Sequence, residues 1–130
     1  MTLVYLDTSV VLAWLFAEDR APREDFWSQT FVASRLLEYE VLNRVHARGA
    51  VSSHGAAARR LIDRVNLLEM SESVLGRALL PFAQPVRTLD ALHLATMDFL
   101  RTQGLVITLA TYDQRLAAAA IGLGFALADC

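Results

Sequence analysis

The chain opens with Met1-Thr2-Leu3-Val4-Tyr5-Leu6-Asp7-Thr8-Ser9, and this stretch decides the fold. Its uncharged run from Leu3 to Leu6 is rich in strand-forming residues and predicts a short buried strand. The run stops at Asp7, and an apolar stretch of helical period follows at residues 10–16. Asp7 is therefore expected at the carboxyl end of a strand, where open α/β sheets bind ligands. The alternative is that this acid, or the threonine after it, only caps the helix.

The same order of strand then helix recurs along the rest of the chain. Further apolar strands are predicted at residues 30–33, 66–70, 105–110 and 125–128. Helices are predicted at residues 8–17, 34–48, 53–65, 88–103 and 115–122, with another between Ser71 and Pro81. Ser34 is the expected N-cap of the second helix, and Thr111 with Gln114 has the spacing of a capping box. This alternation predicts a mostly parallel, doubly wound α/β sheet.

Composition narrows the class of protein further. With 130 residues, 55% of them hydrophobic, the chain is long enough to form one domain around a buried core. Its uncharged runs are too short to cross a bilayer, and no basic residue precedes the first apolar run as in a secretory signal. The single cysteine, Cys130, cannot form an internal disulfide. These features predict a cytoplasmic protein that does not enter membranes.

All twelve basic residues are arginines, and the chain has no lysine. A phosphate-binding P-loop, which requires a Gly-Lys pair, is therefore excluded. Schiff-base chemistry on a lysine is excluded for the same reason. The net charge is −2, so any binding of nucleic acid must use a local basic patch.

Acidic residues recur at or near the starts of the predicted helices. Asp7, Asp90 and Asp113 are each expected at the carboxyl edge of the sheet, and Glu40 lies on a helix that starts from this edge. Carboxylates brought together repel one another unless protons or cations relieve the repulsion. An all-oxygen cluster suits Mg²⁺ or Mn²⁺. Ions held in this way most often serve the hydrolysis of phosphodiester bonds.

The glutamate of this cluster is not determined by helical period, which accommodates Glu38 as well as Glu40. Arg44 follows Glu40 by one turn, so a plain ion pair within the helix is an alternative role for Glu40. His93, one turn after Asp90, is expected to be a packed core histidine.

Four segments together resemble the PIN-domain ribonucleases, and most closely the VapC-type toxins of bacterial toxin–antitoxin pairs. They are Val4-Tyr5-Leu6-Asp7-Thr8-Ser9, Ser34-Arg35-Leu36-Leu37-Glu38-Tyr39-Glu40-Val41, Leu89-Asp90-Ala91-Leu92-His93-Leu94-Ala95 and Thr111-Tyr112-Asp113-Gln114-Arg115-Leu116. Their order and spacing agree with the family over nearly the whole chain. The resemblance selects Glu40 over Glu38, and it implies one PIN domain at residues 1–130 with a flavodoxin-like three-layer sandwich.

The resemblance also implies an activity and its site. A PIN-domain toxin is an endoribonuclease dependent on Mg²⁺ or Mn²⁺, and it forms a homodimer that a VapB-type antitoxin inhibits. The residues carried over by the motifs form two sets. They are the catalytic and metal-binding acids Asp7, Glu40, Asp90 and Asp113, and the supporting hydroxyls of Thr8, Ser9 and Thr111. Arg44 and Arg48 are candidates for RNA binding because they lie one and two turns after Glu40 and could flank the acids.

An apolar surface on the first helices is expected to serve the antitoxin or a second subunit. It would consist of Trp14, Phe16, Phe26 and Trp27.

Other functions remain open at this level. The chain is also compatible with a PIN-type nuclease of RNA processing outside a toxin–antitoxin pair, and with a non-catalytic PIN-like module that only binds a partner. A haloacid-dehalogenase phosphatase is disfavoured because it would need an aspartate where this chain has Ser9. The sequence does not identify the RNA target.

Overall fold

A central strand, β1 (Thr2–Leu6), organises the sheet in the computed structural model, which describes residues 2–130. Met1, the first residue of the opening stretch, lies outside the described residues. The other strands are β2 (Phe31–Ser34), β3 (Val65–Leu68), β4 (Val106–Ala110) and β5 (Ala126–Leu127). Their order is β3-β2-β1-β4-β5, and all the pairings are parallel. The predicted parallel α/β sheet is therefore confirmed.

Helices cover both faces of this sheet. They are α1 (Thr8–Leu15), α2 (Leu36–Ala47), α3 (Val51–Asp63), α4 (Glu72–Ala78), α5 (Thr88–Thr102) and α6 (Gln114–Gly122). The first three pack on one another, as do α4 with α5 and α5 with α6. Right-handed crossovers that run in opposite directions from β1 place these two groups on opposite faces. The three-layer sandwich that the resemblance implies is thus present. No helix among residues 2–130 has the length and apolar character needed to cross a bilayer.

The direction of winding reverses beside β1. From β1 the chain crosses to β2 and then β3 on one side, and it returns past β1 to β4 on the other. β1 is bonded along its whole length to β4, and the amide of Asp7 extends the pairing to the carbonyl of Ala110 at 3.0 Å. Crevices at such reversal points are the usual ligand sites of open α/β sheets. Asp7 lies directly at this one.

Two expected features at the helix starts differ from the structure. Ser34, the expected N-cap of α2, is instead the last residue of β2 and is fully buried. Arg35 occupies the cap position, and α2 begins at Leu36. The Ser34 hydroxyl still accepts a hydrogen bond from the amide of Leu36 at 3.2 Å. Thr111 does not cap α6, because Asp113 takes that position and Thr111 turns toward Asp7.

The expected apolar surface near α1 is also much smaller than predicted. Phe26 and Trp27 are 6% and 4% exposed, and their rings pack against each other and against Phe31. They lie on a short 3₁₀ helix (Glu24–Ser28), which turns these rings into the core. Trp14 remains partly exposed at 36%.

Asp98 links the two helices that precede β4. Its carboxylate accepts hydrogen bonds from Arg77 of α4 and from Arg101 of α5, both at 2.7 Å. Burial alone would raise the pKa of Asp98, but the two arginines outweigh it and lower the pKa below its ordinary value. The ionised form is therefore bound more favourably in the folded state than in the unfolded state.

We expect Asp98→Asn to reduce the free energy of unfolding by about 1–3 kcal/mol at neutral pH, because two charge-assisted bonds are weakened. Since the folded pKa is lowered, this stabilisation is present above the unfolded pKa of about 4 and is lost as the pH falls through the folded pKa. Urea unfolding of the wild type and of Asp98→Asn at pH 7 and pH 3 measures this stabilisation. Asp25→Asn is the control, since Asp25 pairs with Arg23 at 3.8 Å on the open surface. Equal losses in the two variants would contradict the role of Asp98.

Candidate active site

A cavity of about 650 Å³ opens at the carboxyl ends of β1 and β4. Side chains from α1, α2, α5 and the start of α6 line it. All four acids that the sequence indicated contribute to its wall, namely Asp7, Glu40, Asp90 and Asp113. Residues separated by up to 106 positions in the chain thus meet at one edge of the sheet.

Asp7 caps α1 and faces the cavity at the same time. Its Oδ2 accepts hydrogen bonds from the amide and hydroxyl of Ser9, at 3.3 and 2.6 Å, and from the hydroxyl of Thr111 at 2.8 Å. Its Oδ1 accepts no hydrogen bond from residues 2–130. The capping role that the sequence allowed is real, and it uses only one oxygen.

Glu40 is held in a similar way from two sides. Its Oε1 accepts a hydrogen bond from the Thr8 hydroxyl at 3.1 Å and lies 2.8 Å from Nε2 of His93. The alternative ion pair with Arg44 does not form in the described part of the chain. Glu38 instead binds Arg59 at 2.6 Å outside this cavity, and that hydrogen bond lowers its pKa. The geometry separates the two glutamates where helical period could not.

Asp90 and Asp113 share one arginine that the sequence reading missed. The guanidinium of Arg87 lies 3.5 Å from Oδ2 of Asp90 and 3.5 Å from Oδ2 of Asp113. Asp113 also caps α6, because its Oδ1 accepts hydrogen bonds from the amides of Arg115 and Leu116 at 2.9 and 3.2 Å. The only signal for Arg87 in the sequence is its position three residues before Asp90, which permits a pair within one turn.

A common pattern unites the four carboxylates. Each has one oxygen engaged by protein donors, whereas Oδ1 of Asp7, Oε2 of Glu40 and Oδ1 of Asp90 accept no hydrogen bond from residues 2–130. Oδ2 of Asp113 is approached only by Arg87. Free carboxylate oxygens around one cavity are the ligands that Mg²⁺ and Mn²⁺ prefer, so the donor set fits such an ion.

The ligand set is not assembled in this arrangement. Among residues 2–130, no three Asp, Glu, His or Cys side chains already lie close enough together to hold one ion. The positive charge near Asp90 and Asp113 is supplied by Arg87 instead.

The pKa values of Asp90 and His93 are both shifted in this site. Burial raises the pKa of Asp90 above its ordinary value, and the negative charge of Asp113 raises it further, while Arg87 opposes both effects. For His93, burial lowers the pKa, but the hydrogen bond and charge of Glu40 outweigh it and the net shift is upward. Burial is thus the main cause of the shift at Asp90, and the contact with Glu40 is the main cause of the upward shift at His93.

The two candidate RNA-binding arginines are placed differently. Arg44 lines the cavity and makes no ion pair with any of residues 2–130. Arg48 lies away from the cavity, 3.7 Å from Glu18, with its guanidinium 4.2 Å from the ring centre of Phe16. Of the two, the structure brings only Arg44 to the acids.

We expect Asp90→Asn to keep or raise the melting temperature of the metal-free protein at pH 7. When the pKa of a carboxyl group is higher in the folded protein than in the unfolded one, the protein loses stability as the pH rises above the unfolded pKa. The ionised form of Asp90 is therefore the destabilising one. Thermal unfolding in EDTA at pH 3.5, below the unfolded pKa of about 4, and at pH 7 measures this, and the variant should lose less stability than the wild type between them. Asp19→Asn, at an exposed acid of the loop after α1, is the control and should behave as the wild type. A clear drop in melting temperature for Asp90→Asn alone would instead favour a purely structural role.

Comparisons by family, sequence and structure relate this chain to known proteins. The family model of the PIN domain matches residues 4–122. A Mycobacterium tuberculosis protein named Ribonuclease VapC46 is 35% identical, over 98% of this chain and 97% of its own length. Ribonuclease VapC47, from the same species, is 29% identical over 98% of this chain and 96% of its own. A chain in the structure titled toxin-antitoxin complex from Klebsiella pneumoniae has the same fold, with a TM-score of 0.65 at 19% identity, covering 92% of this chain and 93% of that one. The chain belongs to the PIN domain family.

Proposed function

We propose that this protein is an endoribonuclease that uses Mg²⁺ or Mn²⁺, and that it is the toxin of a toxin–antitoxin pair. The observation that carries the proposal is the cavity with four carboxylates. Asp7, Glu40 and Asp90 each have one oxygen bound by the protein and another without a hydrogen bond from residues 2–130, and Arg87 approaches the second oxygen of Asp113. Membership of the PIN family and the ribonuclease names of two relatives that match nearly the full chain support it.

Asp7, Glu40 and Asp90 are the proposed ligands of the ion, and Asp113 completes the site. When bound, such an ion activates a water molecule and stabilises the oxygen that leaves the phosphorus. The protein contributes the orientation of the ligands. The hydroxyls of Ser9 and Thr111 hold Asp7, the hydroxyl of Thr8 holds Glu40, and the amides at the start of α6 hold Asp113. Such supporting bonds fix the direction in which each free oxygen is presented.

Arg44 is the proposed contact to the RNA backbone. Its guanidinium lines the acidic cavity and lacks an ion-pair partner within residues 2–130, so its charge is available to a phosphate. Arg87 would become available in the same place once a metal ion replaces it beside Asp90 and Asp113. Two cations beside an acidic metal centre would allow a polyanion to approach carboxylates that otherwise repel it.

The partners follow from the same proposal. We propose a VapB-type antitoxin that covers the cavity, a cytoplasmic location where cellular RNA is the substrate, and a homodimer. The apolar surface available for the dimer is not the one at Phe26 and Trp27, which are buried. Leu79 and Leu80, which follow α4 and are 86% and 58% exposed, are better placed to serve it.

Cleavage of RNA by the purified protein tests the activity. After treatment with EDTA it should cut single-stranded RNA only when Mg²⁺ or Mn²⁺ is restored, and Asp90→Asn should lose the cleavage because one proposed ligand loses its charge. Asp19→Asn should cut at the wild-type rate. Gel analysis of end-labelled RNA measures both. Cleavage by Asp90→Asn at the wild-type rate would refute the site, and a wild type that binds but never cuts RNA would indicate a non-catalytic binding module.

Binding of RNA by Asp90→Asn at several salt concentrations tests Arg44. Adding Arg44→Gln to this variant should weaken binding and reduce the slope of log K against log salt by about 1, because one phosphate contact is lost. Arg60→Gln is the matched control, since Arg60 is an exposed arginine of α3 that does not line the cavity. Fluorescence anisotropy with a labelled oligonucleotide measures the slope. An equal slope in both variants would remove Arg44 from the RNA interface.

A further inference from the structure

A chain of buried hydrogen bonds connects the central strand to Glu40. His93 is 2% exposed, with Nε2 lying 2.8 Å from Oε1 of Glu40 and Nδ1 lying 2.8 Å from the hydroxyl of Tyr5. Tyr5 is fully buried on β1, and its hydroxyl accepts a hydrogen bond from the amide of Ser34 at 3.1 Å. The expectation of a packed core histidine was therefore right about burial, but both ring nitrogens are also engaged.

The partners determine the direction of this chain. The carboxylate of Glu40 can only accept, so Nε2 of His93 carries a proton and donates it to this bond. In the neutral ring Nδ1 then accepts, and the donor that faces it is the hydroxyl of Tyr5. The oxygen of Tyr5 in turn accepts from the amide of Ser34. Each group from Ser34 to Glu40 donates to the next, and none is left unsatisfied.

Such a series of hydrogen bonds is unusual in a protein core. A phenylalanine at position 5 and a leucine at position 93 could fill similar space without any polar group to satisfy, and burial of polar groups is unfavourable unless each is bonded. The hydroxyl and imidazole together reach from the middle of the sheet to one acid of the cavity. Tyr5 and His93 also contact edge to face, with ring centres 5.9 Å apart, so both rings are held by packing.

The last hydrogen bond of this series, from His93 to Glu40, determines which oxygen of Glu40 is free. His93 and Thr8 both donate to Oε1, and this leaves Oε2 without a hydrogen bond from residues 2–130. Without His93 the carboxylate would keep only the longer bond from Thr8 and could rotate. Residues that orient a metal ligand through a hydrogen bond affect metal affinity although they do not touch the metal.

We infer that Tyr5 and His93 are positioning residues, which hold Glu40 so that Oε2 is presented to the ion in the cavity. The inference rests on the proposed function, because it concerns a ligand of the proposed metal site. It assigns roles to two residues of the first and third motifs that are neither among the four acids nor among the supporting hydroxyls. Tyr5 acts at a distance, through the imidazole alone.

Calorimetric titration of the metal-free protein with Mn²⁺ tests the inference without measuring activity. Tyr5→Phe keeps the ring but removes the hydroxyl, and it should weaken Mn²⁺ binding by about 10–100-fold. Tyr112→Phe is the matched control. It removes a hydroxyl that donates to the carbonyl of Cys130 at 2.7 Å, away from the four acids, and it should bind Mn²⁺ like the wild type.

A pair of amide variants at position 93 separates positioning from packing. His93→Gln can place an N–H where Nε2 lies, whereas the shorter His93→Asn imitates only Nδ1 and does not reach Glu40. His93→Gln should therefore retain more of the Mn²⁺ affinity than His93→Asn, although both replace a buried ring. Circular dichroism melting of each variant shows that it is folded at the titration temperature. Should both fail to fold, Tyr5→Phe and its control decide alone.

The outcomes distinguish this inference from the proposed function. If wild type binds Mn²⁺ and cuts RNA but Tyr5→Phe binds Mn²⁺ equally well and only melts lower, the buried pair is structural and the inference is wrong. If the two amide variants fold and have equal affinity, the inference is also wrong. If wild type itself neither binds Mn²⁺ nor cuts RNA, the proposed function fails and the inference fails with it.

Discussion

The pairing of β1 with two parallel neighbours is the constraint on which the site depends. β1 is bonded to β2 on one side and to β4 on the other, and its residues Val4, Tyr5 and Leu6 are almost completely buried. The strand cannot shift along its neighbours without losing hydrogen bonds on both sides, so the position of the residue that follows it is determined. That residue is Asp7. The reversal of winding beside β1 then opens the crevice into which the acids of α2 and α5 project.

Repulsion among the acids explains why so many polar groups surround them. Four carboxylates in one cavity are unfavourable without positive charge. The pKa of Asp90 is raised first by its burial and then by the negative charge of Asp113. The structure relieves part of the repulsion with Arg87, which contacts two of the acids, and with neutral donors to the other two. Neutral donors stabilise a carboxylate without occupying the cavity with a cation. A charged side chain in their place would compete with a metal ion for the same oxygens.

The sequence was sufficient for the architecture and for placing Asp7 and Asp113 at one edge of the sheet, and the reason is local. A strand followed by an acid and a helix is visible in a single stretch, and parallel topology then brings such stretches to one edge. The contacts of Arg87 depend on its rotamer, which the spacing of residues does not encode. The link between His93 and Glu40 joins residues 53 positions apart, which helical period does not encode either. The burial of Phe26 and Trp27 was missed because a 3₁₀ helix does not follow the 3.6-residue period used to assign faces. Glu40 could be separated from Glu38 only by the resemblance to PIN-domain proteins, until the hydrogen bonds of both were known.

Capping and ligand binding are compatible roles for the same carboxylate, although the sequence alone suggests them as alternatives for Asp7. A helix cap requires one oxygen, and a carboxylate has two. Asp7 and Asp113 both use one oxygen at the start of a helix that follows a strand, so the cap itself orients the second oxygen. The cap also places the carboxylate at the positive end of the helix dipole. An aspartate that caps a helix at the carboxyl edge of a parallel sheet thus directs its second oxygen toward the crevice. Asp7 and Asp113 are the two acids of the cavity that do so.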